Sequence, residues 1–171
     1  MHFPLHPNLP REGVPLAELF RAKGMRFDLG AAHARLAAVA EGVGLPFNPP
    51  HFAWDTRLAQ ELSVWAAEQG QRGLHDRLFR AVFVDGLNVG DPDVLVRLAR
   101  EQGLDPEAAA AVLRDRSHRA KVDADWQYAR ELGVTGVPTY VIGRRGVVGA
   151  QPYEALERLA LQAGATPRAS A

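Results

Sequence analysis

The chain has 171 residues, of which 47% are hydrophobic and 23% charged, and its 20 Lys and Arg residues balance 20 Asp and Glu residues. This composition is typical of a globular domain with a sizeable core, and the zero net charge disfavours binding to nucleic acid. No apolar run is long enough to span a bilayer, and no signal sequence begins the chain, so we expect a cytoplasmic protein without a membrane partner.

Cysteine is absent from the sequence. These residues therefore supply no disulfide, no thiolate nucleophile, no zinc–thiolate site and no redox dithiol. Any catalysis by this chain itself would have to use oxygen or imidazole groups.

The N-terminal third mixes proline-rich loops with short helices. Phe3 and Leu5 predict a short strand, and the prolines that follow predict a rigid loop. A helix is expected over residues 16–23, and a second one, capped by Asp28, ends at Gly42. Its apolar positions are Ala32, Leu36 and Val39.

The middle of the chain is predicted to be helical. The strongest pattern runs from Asp55 to Glu68, where Leu58, Leu62 and Trp65 form one apolar stripe with charged residues opposite. Four more helices are expected, over residues 74–85 before Gly86, from Asp91–Pro92 and Asp105–Pro106 to about Gln102 and Arg114, and over 117–132 before Gly133.

After Gly133 the pattern changes to that of a hairpin. Thr139–Ile142 predicts a strand, Gly143–Gly146 a tight turn and Val147–Val148 a second strand. A last helix is expected after Gln151–Pro152, and the residues from 164 onward are expected to fray. The whole pattern indicates an α/β or α+β domain with a large helical middle.

Few side chains suggest a catalytic or metal site. His2 and His6 share one side of the predicted first strand, but no third ligand stands nearby, so no metal site is predicted. Ser117 beside His118 could be a nucleophile with its base, yet neighbours on a helix point about 100 degrees apart. Ser117 is therefore predicted to cap a helix, and no catalytic residue is assigned.

The segment Gly133–Thr139 has an unusual sequence, Gly-Val-Thr-Gly-Val-Pro-Thr, directly before a strand. A cis bond between Val137 and Pro138 would leave an unpaired strand edge on which an extended peptide could lie. A trans proline that begins an edge strand fits the residues as well.

This segment, continued to Ile142 and followed by Val147–Tyr153, closely resembles the C-terminal end of DsbA-like thioredoxin-fold proteins, and specifically the FrnE-like branch. The match continues in the family's order through most of the chain, in the segments Phe3–Gly13, Asp55–Leu62, Trp65–Ala66, Leu78–Arg80, Phe83 and Gly90–Asp91.

The resemblance implies a fold and a binding site. The fold would be an α/β thioredoxin-like domain over residues 1–171, with a mostly helical insertion at 16–132 and a C-terminal strand, hairpin and helix at 133–163. Pro138 would be the family's cis-proline, and Val137, Pro138 and Thr139 would bind substrate. The implied activity is thiol–disulfide oxidation or isomerisation, acting on an extended peptide or a thiol protein.

The departure from the family concerns its reactive centre. Family members begin with a strand, a C-x-x-C motif and a helix, whereas this sequence opens at the family's second strand. As given, the chain would be inactive or a fragment, and no cofactor is expected. Two alternatives stay open: a glutathione-dependent isomerase or transferase related to 2-hydroxychromene-2-carboxylate isomerase and the kappa class, and a non-catalytic module that binds peptides or a partner.

The missing strand would be central in the sheet, and its absence would leave backbone groups unpaired at about 1–3 kcal/mol each when buried. We therefore expect one of three outcomes: a fragment or a wrongly assigned start, a homodimer or other partner that donates a strand, or a rearrangement of the strands.

Overall fold

The structure is a computed structural model that describes residues 1–25 and 28–166. Two compact units divide the chain: a helical unit, His6–Asp123, and a C-terminal unit, Met1–Leu5 together with Ala124 and the residues after it. The helices are α1 (Leu16–Ala22), α2 (Leu29–Gly42), α3 (Arg57–Glu68), α4 (Gly73–Phe83), α5 (Pro92–Glu101), α6 (Pro106–Asp115), α7 (Arg119–Glu131) and α8 (Tyr153–Gln162). The strands are β1 (Val14–Pro15), β2 (Phe52–Ala53), β3 (Thr139–Ile142) and β4 (Arg145–Val148).

Helices α3 to α6 build the core of the helical unit. Helix α3 packs against α4, α5 and α6, and α5 also packs against α4 and α6. Their apolar stripes meet as the sequence pattern predicts, and burial of such side chains is the main force that holds the helices together. The core cluster consists of Ala59, Leu62, Trp65, Ala66, Leu74, Leu78, Ala81, Val89, Leu95, Leu98, Ala99, Ala109, Val112 and Leu113.

Three aspartates begin helices as predicted. The carboxylate of Asp28 accepts a hydrogen bond from the Ala31 N–H at 2.9 Å. Asp91 and Asp105 likewise cap α5 and α6, each before a proline at the first helical position. Each carboxylate satisfies one of the N–H groups that a helix start leaves unpaired.

The predicted strand at Phe3 and Leu5 is absent, and this prediction was wrong. The Leu5 N–H instead donates to the Phe3 carbonyl at 3.1 Å, which forms a local turn. Prolines at 4, 7 and 10 carry no N–H for a strand ladder, and Asn8 has a positive φ of 66°, so the segment bends repeatedly.

Helix α2 begins and ends where the sequence predicts, but its apolar pattern does not face a core. No residue of α2 is buried, and the side chains of Leu36 and Val39 are 53% and 61% exposed. The sequence shows the period of the helix and contains no signal for what lies beside it.

A tight contact beside the small sheet of β1 and β2, between the residue before β1 and the residue after β2, yields a stability prediction. Gly13 has a φ of +85°, and a Cβ there would lie 2.5 Å from Cδ1 of Trp54. Gly24 has a similar φ of +70°, and none of the atoms of the described residues lies within 4 Å of its Cβ position. We expect Gly13→Ala to lower the free energy of unfolding by about 2 kcal/mol and Gly24→Ala by about 1 kcal/mol, because only the first adds a clash to the backbone strain. Urea unfolding of both variants measures the difference, and equal losses would contradict the clash.

One buried carboxylate departs from the predicted pattern of α3. Glu61, three residues after Leu58 and four before Trp65, lies on the side of the apolar stripe and is fully buried. Its Oε1 accepts from Nε of Arg57 at 2.9 Å and from Nη2 of Arg116 at 2.7 Å, while its Oε2 accepts from Nε of Arg116 at 2.8 Å. Arg57 also donates to Asp123 at 2.6 Å, so the pair of arginines connects α3 with the first turn of α7. Arg116 reaches the site from a left-handed conformation with φ 54° at the end of α6.

The Glu61 site predicts a pH dependence of stability. Burial alone raises the pKa of the Glu61 carboxyl, but hydrogen bonds from Arg116 and Arg57 outweigh it and lower the pKa below 4.5. A carboxyl whose pKa is lower in the folded state than in the unfolded state stabilises the protein at pH values above its unfolded-state pKa. This contribution disappears as the pH falls through the folded-state pKa. In urea unfolding between about pH 7 and pH 3, we therefore expect the stability gap between wild type and Glu61→Gln to narrow below pH 4.5. A constant gap would contradict the assignment.

The C-terminal unit contains the predicted hairpin and last helix. Strands β3 and β4 pair antiparallel, with Tyr140 opposite Val147 and Ile142 opposite Arg145. The turn is only two residues, because β4 already begins at Arg145 rather than at Val147. Helix α8 packs against both strands. Among the described residues, no helix has the length and apolar character needed to cross a bilayer.

Candidate functional site

The three predicted binding residues lie together at the start of β3. The Val137–Pro138 peptide bond is cis, which decides between the two alternatives that the sequence left open. The Val137 side chain is 51% exposed, and Pro138 is exposed as well. The Thr139 hydroxyl donates to the Gly136 carbonyl at 2.6 Å, which ties the loop before the proline to the strand.

The pairing register shows which edge of β3 is free. The Gly149 N–H donates to the Pro138 carbonyl at 2.8 Å, so Pro138 and Gly149 form a hydrogen-bonded pair. In an antiparallel ladder such pairs alternate along the strand, and Tyr140 and Ile142 therefore bond to β4. The N–H and C=O groups of Thr139 and Val141 point away from β4. Within the described part of the chain, no other strand pairs with that edge.

Two hollows lie beside this edge, with volumes of about 460 Å³ and 500 Å³. Both are lined by Thr139 and Val141, whose backbone groups point away from β4, and by Gly143. Leu132 and Val134, at the end of α7 and in the loop after it, line both hollows as well. The first hollow is completed by Met1, Phe3, Tyr128 and Val137, and the second by Glu131, Gly133, Arg144, Arg145, Gly146 and Val148. An unpaired strand edge beside hollows lined by apolar and charged residues is a surface on which an extended peptide can add a strand.

Sequence reasoning found the start of this edge but not its full length. Val141 belongs to the site with Thr139 because side chains and backbone groups alternate with a period of two along a strand. That alternation was available from the predicted strand, whereas the contribution of Leu132 and Val134 depends on how α7 ends. Neither the edge nor the hollows contain a thiol, since the chain has no cysteine.

The other candidate residues occupy different surroundings. Nδ1 of His6 lies 3.0 Å from Nζ of Lys23, and the backbone N–H of His2 donates to Asp125. The prediction that Ser117 caps α7 was wrong. The His118 carbonyl accepts the first helical hydrogen bond, from Val122, so His118 holds the cap position. Ser117 and His118 lie in the turn before the helix, and their side chains hydrogen-bond at 2.9 Å rather than diverging.

Comparisons with known proteins show the family and the fold of the chain. A family model, the DSBA-like thioredoxin domain, matches residues 1–160. The crystal structure of a probable DsbA oxidoreductase from Streptomyces coelicolor is 34% identical, with a TM-score of 0.83 over 98% of this chain and 76% of that one. The protein YwbO of Bacillus subtilis is 32% identical over 124 residues, which are 70% of this chain, and the match spans only 62% of the length of YwbO.

Proposed function

Because the chain belongs to the DSBA-like thioredoxin domain family, we propose that it supplies the peptide-binding surface of a DsbA-like thiol–disulfide oxidoreductase. An extended segment of a thiol protein would bind at Val137, Pro138 and Thr139, while the open edge of β3 would pair with the strand that precedes the C-x-x-C motif in the family. The FrnE-like branch is the part of the family that we assign, and no cofactor is needed for this binding.

The observation that carries the proposal is the direction of the Thr139 and Val141 backbone groups. Two N–H and two C=O groups on one short edge can form up to four main-chain hydrogen bonds with a peptide, whatever its sequence. The hollows beside this edge have both apolar and charged residues in their lining. Main-chain pairing of this kind suits the strand that precedes the dithiol, and it leaves Val137 and Pro138 exposed for substrate.

Redox chemistry requires two thiols that these 171 residues lack. In the proposed function the dithiol therefore comes from a polypeptide segment outside this sequence, arranged as a strand, a C-x-x-C motif and a helix. We expect the chain alone to give no turnover in a disulfide-exchange assay. Addition in trans of a peptide with that arrangement should produce exchange activity, and a serine version of the same peptide should not.

Strand addition can be tested with Val141→Pro. Proline removes the outward N–H of Val141 but leaves the β4 ladder intact, since a strand tolerates proline where the N–H faces away from its partner. The probe is a capped seven-residue peptide of alternating valine and threonine. We expect this peptide to slow amide exchange at Thr139 and Val141 in wild type by at least about tenfold, and Val141→Pro to weaken its binding by about tenfold, because one main-chain hydrogen bond is lost.

The chain offers internal controls for this experiment. The amides of Tyr140 and Ile142 already bond to β4, so their exchange should change much less on peptide addition. Exchange that slows equally at all four amides would indicate general stabilisation. Unchanged exchange at Thr139 and Val141 under saturating peptide would overturn the proposed binding site. Protection without peptide that depends on protein concentration would indicate a homodimer on the same edge.

A further inference from the structure

A second cluster of reactive side chains lies in the helical unit, where the turn between α6 and α7 meets the end of α3. The Ser117 hydroxyl lies 2.9 Å from Nδ1 of His118. Nε2 of the same imidazole lies 3.1 Å from Oε2 of Glu68. Serine, histidine and carboxylate thus form one continuous hydrogen-bonded chain, the arrangement by which a hydroxyl is activated as a nucleophile.

The hydrogen-bond partners determine which nitrogen carries the proton. Hydrogen bonds from Lys121 and His118 lower the pKa of the Glu68 carboxyl, so Glu68 is an ionised acceptor. Nε2 of His118 must therefore carry a hydrogen to donate to it. In the neutral imidazole this leaves a lone pair on Nδ1, and the Ser117 hydroxyl donates to that lone pair.

Burial orders the base and leaves the nucleophile accessible. The His118 side chain is only 12% exposed, so its ring is held in place between its two partners. Ser117 is exposed and can be reached from solvent. Lys121 binds the other oxygen of Glu68 and fixes the orientation of the carboxylate.

Helix α7 begins two residues after Ser117, and N–H groups of its first turn are available as hydrogen-bond donors. The Arg119 N–H donates to Arg116 and the Val122 N–H to His118. Within the described residues, the N–H groups of Ala120 and Lys121 donate to no backbone carbonyl. Free amides at the start of a helix can stabilise the negative charge that develops on a carbonyl oxygen under attack.

We propose that Ser117 is an activated nucleophile that transfers acyl groups from small carboxylic esters to water. The hydroxyl oxygen attacks the ester carbonyl while Nδ1 of His118 takes the hydroxyl proton, and that proton then leaves with the departing alcohol. A water molecule next attacks the Ser117 ester and gives its proton to Nδ1. As the bond between the acyl group and the Ser117 oxygen breaks, Nδ1 returns this proton to that oxygen. The carboxylic acid is released, and both the free hydroxyl and the neutral imidazole are restored, so the step needs no further reactant.

The serine content of the chain makes the test specific. Ser63, Ser117 and Ser170 are its serines. A fluorophosphonate probe, which reacts with activated serines, should label Ser117 in the intact chain, and peptide mass spectrometry should find no comparable label at the other two. Unlabelled Ser117, or equal labelling of the three serines, would overturn the proposal.

Variants separate activation from mere accessibility. Loss of a general base typically slows such chemistry by 10²–10⁴-fold, so His118→Ala should slow both labelling and hydrolysis of p-nitrophenyl acetate by about 100-fold. Ser117→Ala should abolish both the labelling and the hydrolysis. Because Ser117 is exposed, this substitution should leave folding unchanged. Ser63→Ala serves as the matched control and should leave both rates unchanged. Labelling of Ser117 that is equally fast in His118→Ala would contradict activation by the imidazole.

Discussion

Replacing Glu61 with alanine is expected to lower the free energy of unfolding by about 3 kcal/mol, which is the loss typical of breaking a buried ion pair from one side. The substitution removes the acceptor of three hydrogen bonds from Arg57 and Arg116. Arg57, whose side chain is only 12% exposed, would then keep its charge with one partner fewer. Equilibrium urea unfolding at neutral pH measures the effect.

The matched control for this experiment is Glu12→Ala. Glu12 is an exposed loop glutamate, and a surface substitution of this kind changes stability by no more than about 0.5 kcal/mol. The double variant Glu61→Met with Arg116→Met replaces the pair by apolar side chains and should recover part of the loss. A loss below about 1 kcal/mol in Glu61→Ala would mean that water replaces the missing carboxylate.

Replacing Leu98 with alanine is expected to destabilise the protein by about 3 kcal/mol, within the range measured for fully buried leucines. Leu98 is completely buried on α5, where that helix packs against α4 and α6. The truncation leaves a cavity that neighbouring helices fill only in part, and the lost transfer free energy adds to the cavity term.

Leu36→Ala is the control for the core substitution, because Leu36 sits on a helix of similar regularity but is 53% exposed. Its loss should stay within about 0.5 kcal/mol. The comparison measures burial rather than helix propensity, since both substitutions put the same residue into a helix. Equal losses would show that α2 packs against something when the protein is in solution.

The helices and their starts could be predicted from the sequence because local rules decide them. In each Asp-Pro pair the aspartate, Asp91 or Asp105, caps the helix, and the proline that follows is a first-turn residue without an N–H to satisfy. The core stripe of α3 followed from the spacing of Leu62 and Trp65.

Features that depend on distant partners could not be predicted in this way. The burial of Glu61 depends on Arg116, which lies fifty-five positions later and reaches the carboxylate from the end of α6. The side chains of Ser117 and His118 are in contact because both residues precede α7, which begins at Arg119. The predicted helix begins two residues earlier, at 117, where the two side chains would point apart. Helix limits are the least certain part of a sequence-based prediction.

Val137, Pro138 and Thr139 were predicted as binding residues from the family resemblance together with the sequence before β3. Their chemistry alone is ordinary: two apolar side chains and a hydroxyl. What distinguishes them is the direction of the backbone groups at the start of β3. This direction depends on the pairing register of the strand, which the residue types do not show. The identity of the segment that binds there remains our proposal.

The open side of β3 also bears on how the protein behaves in concentrated solution. Thr139–Ile142 carries no charge and consists of β-branched and aromatic residues, the composition that favours intermolecular stacking of strands. Arg144 and Arg145 follow after Gly143 and place positive charge at the hairpin tip, a common natural safeguard against aggregation. We therefore expect removal of these two charges to increase self-association through Thr139–Ile142.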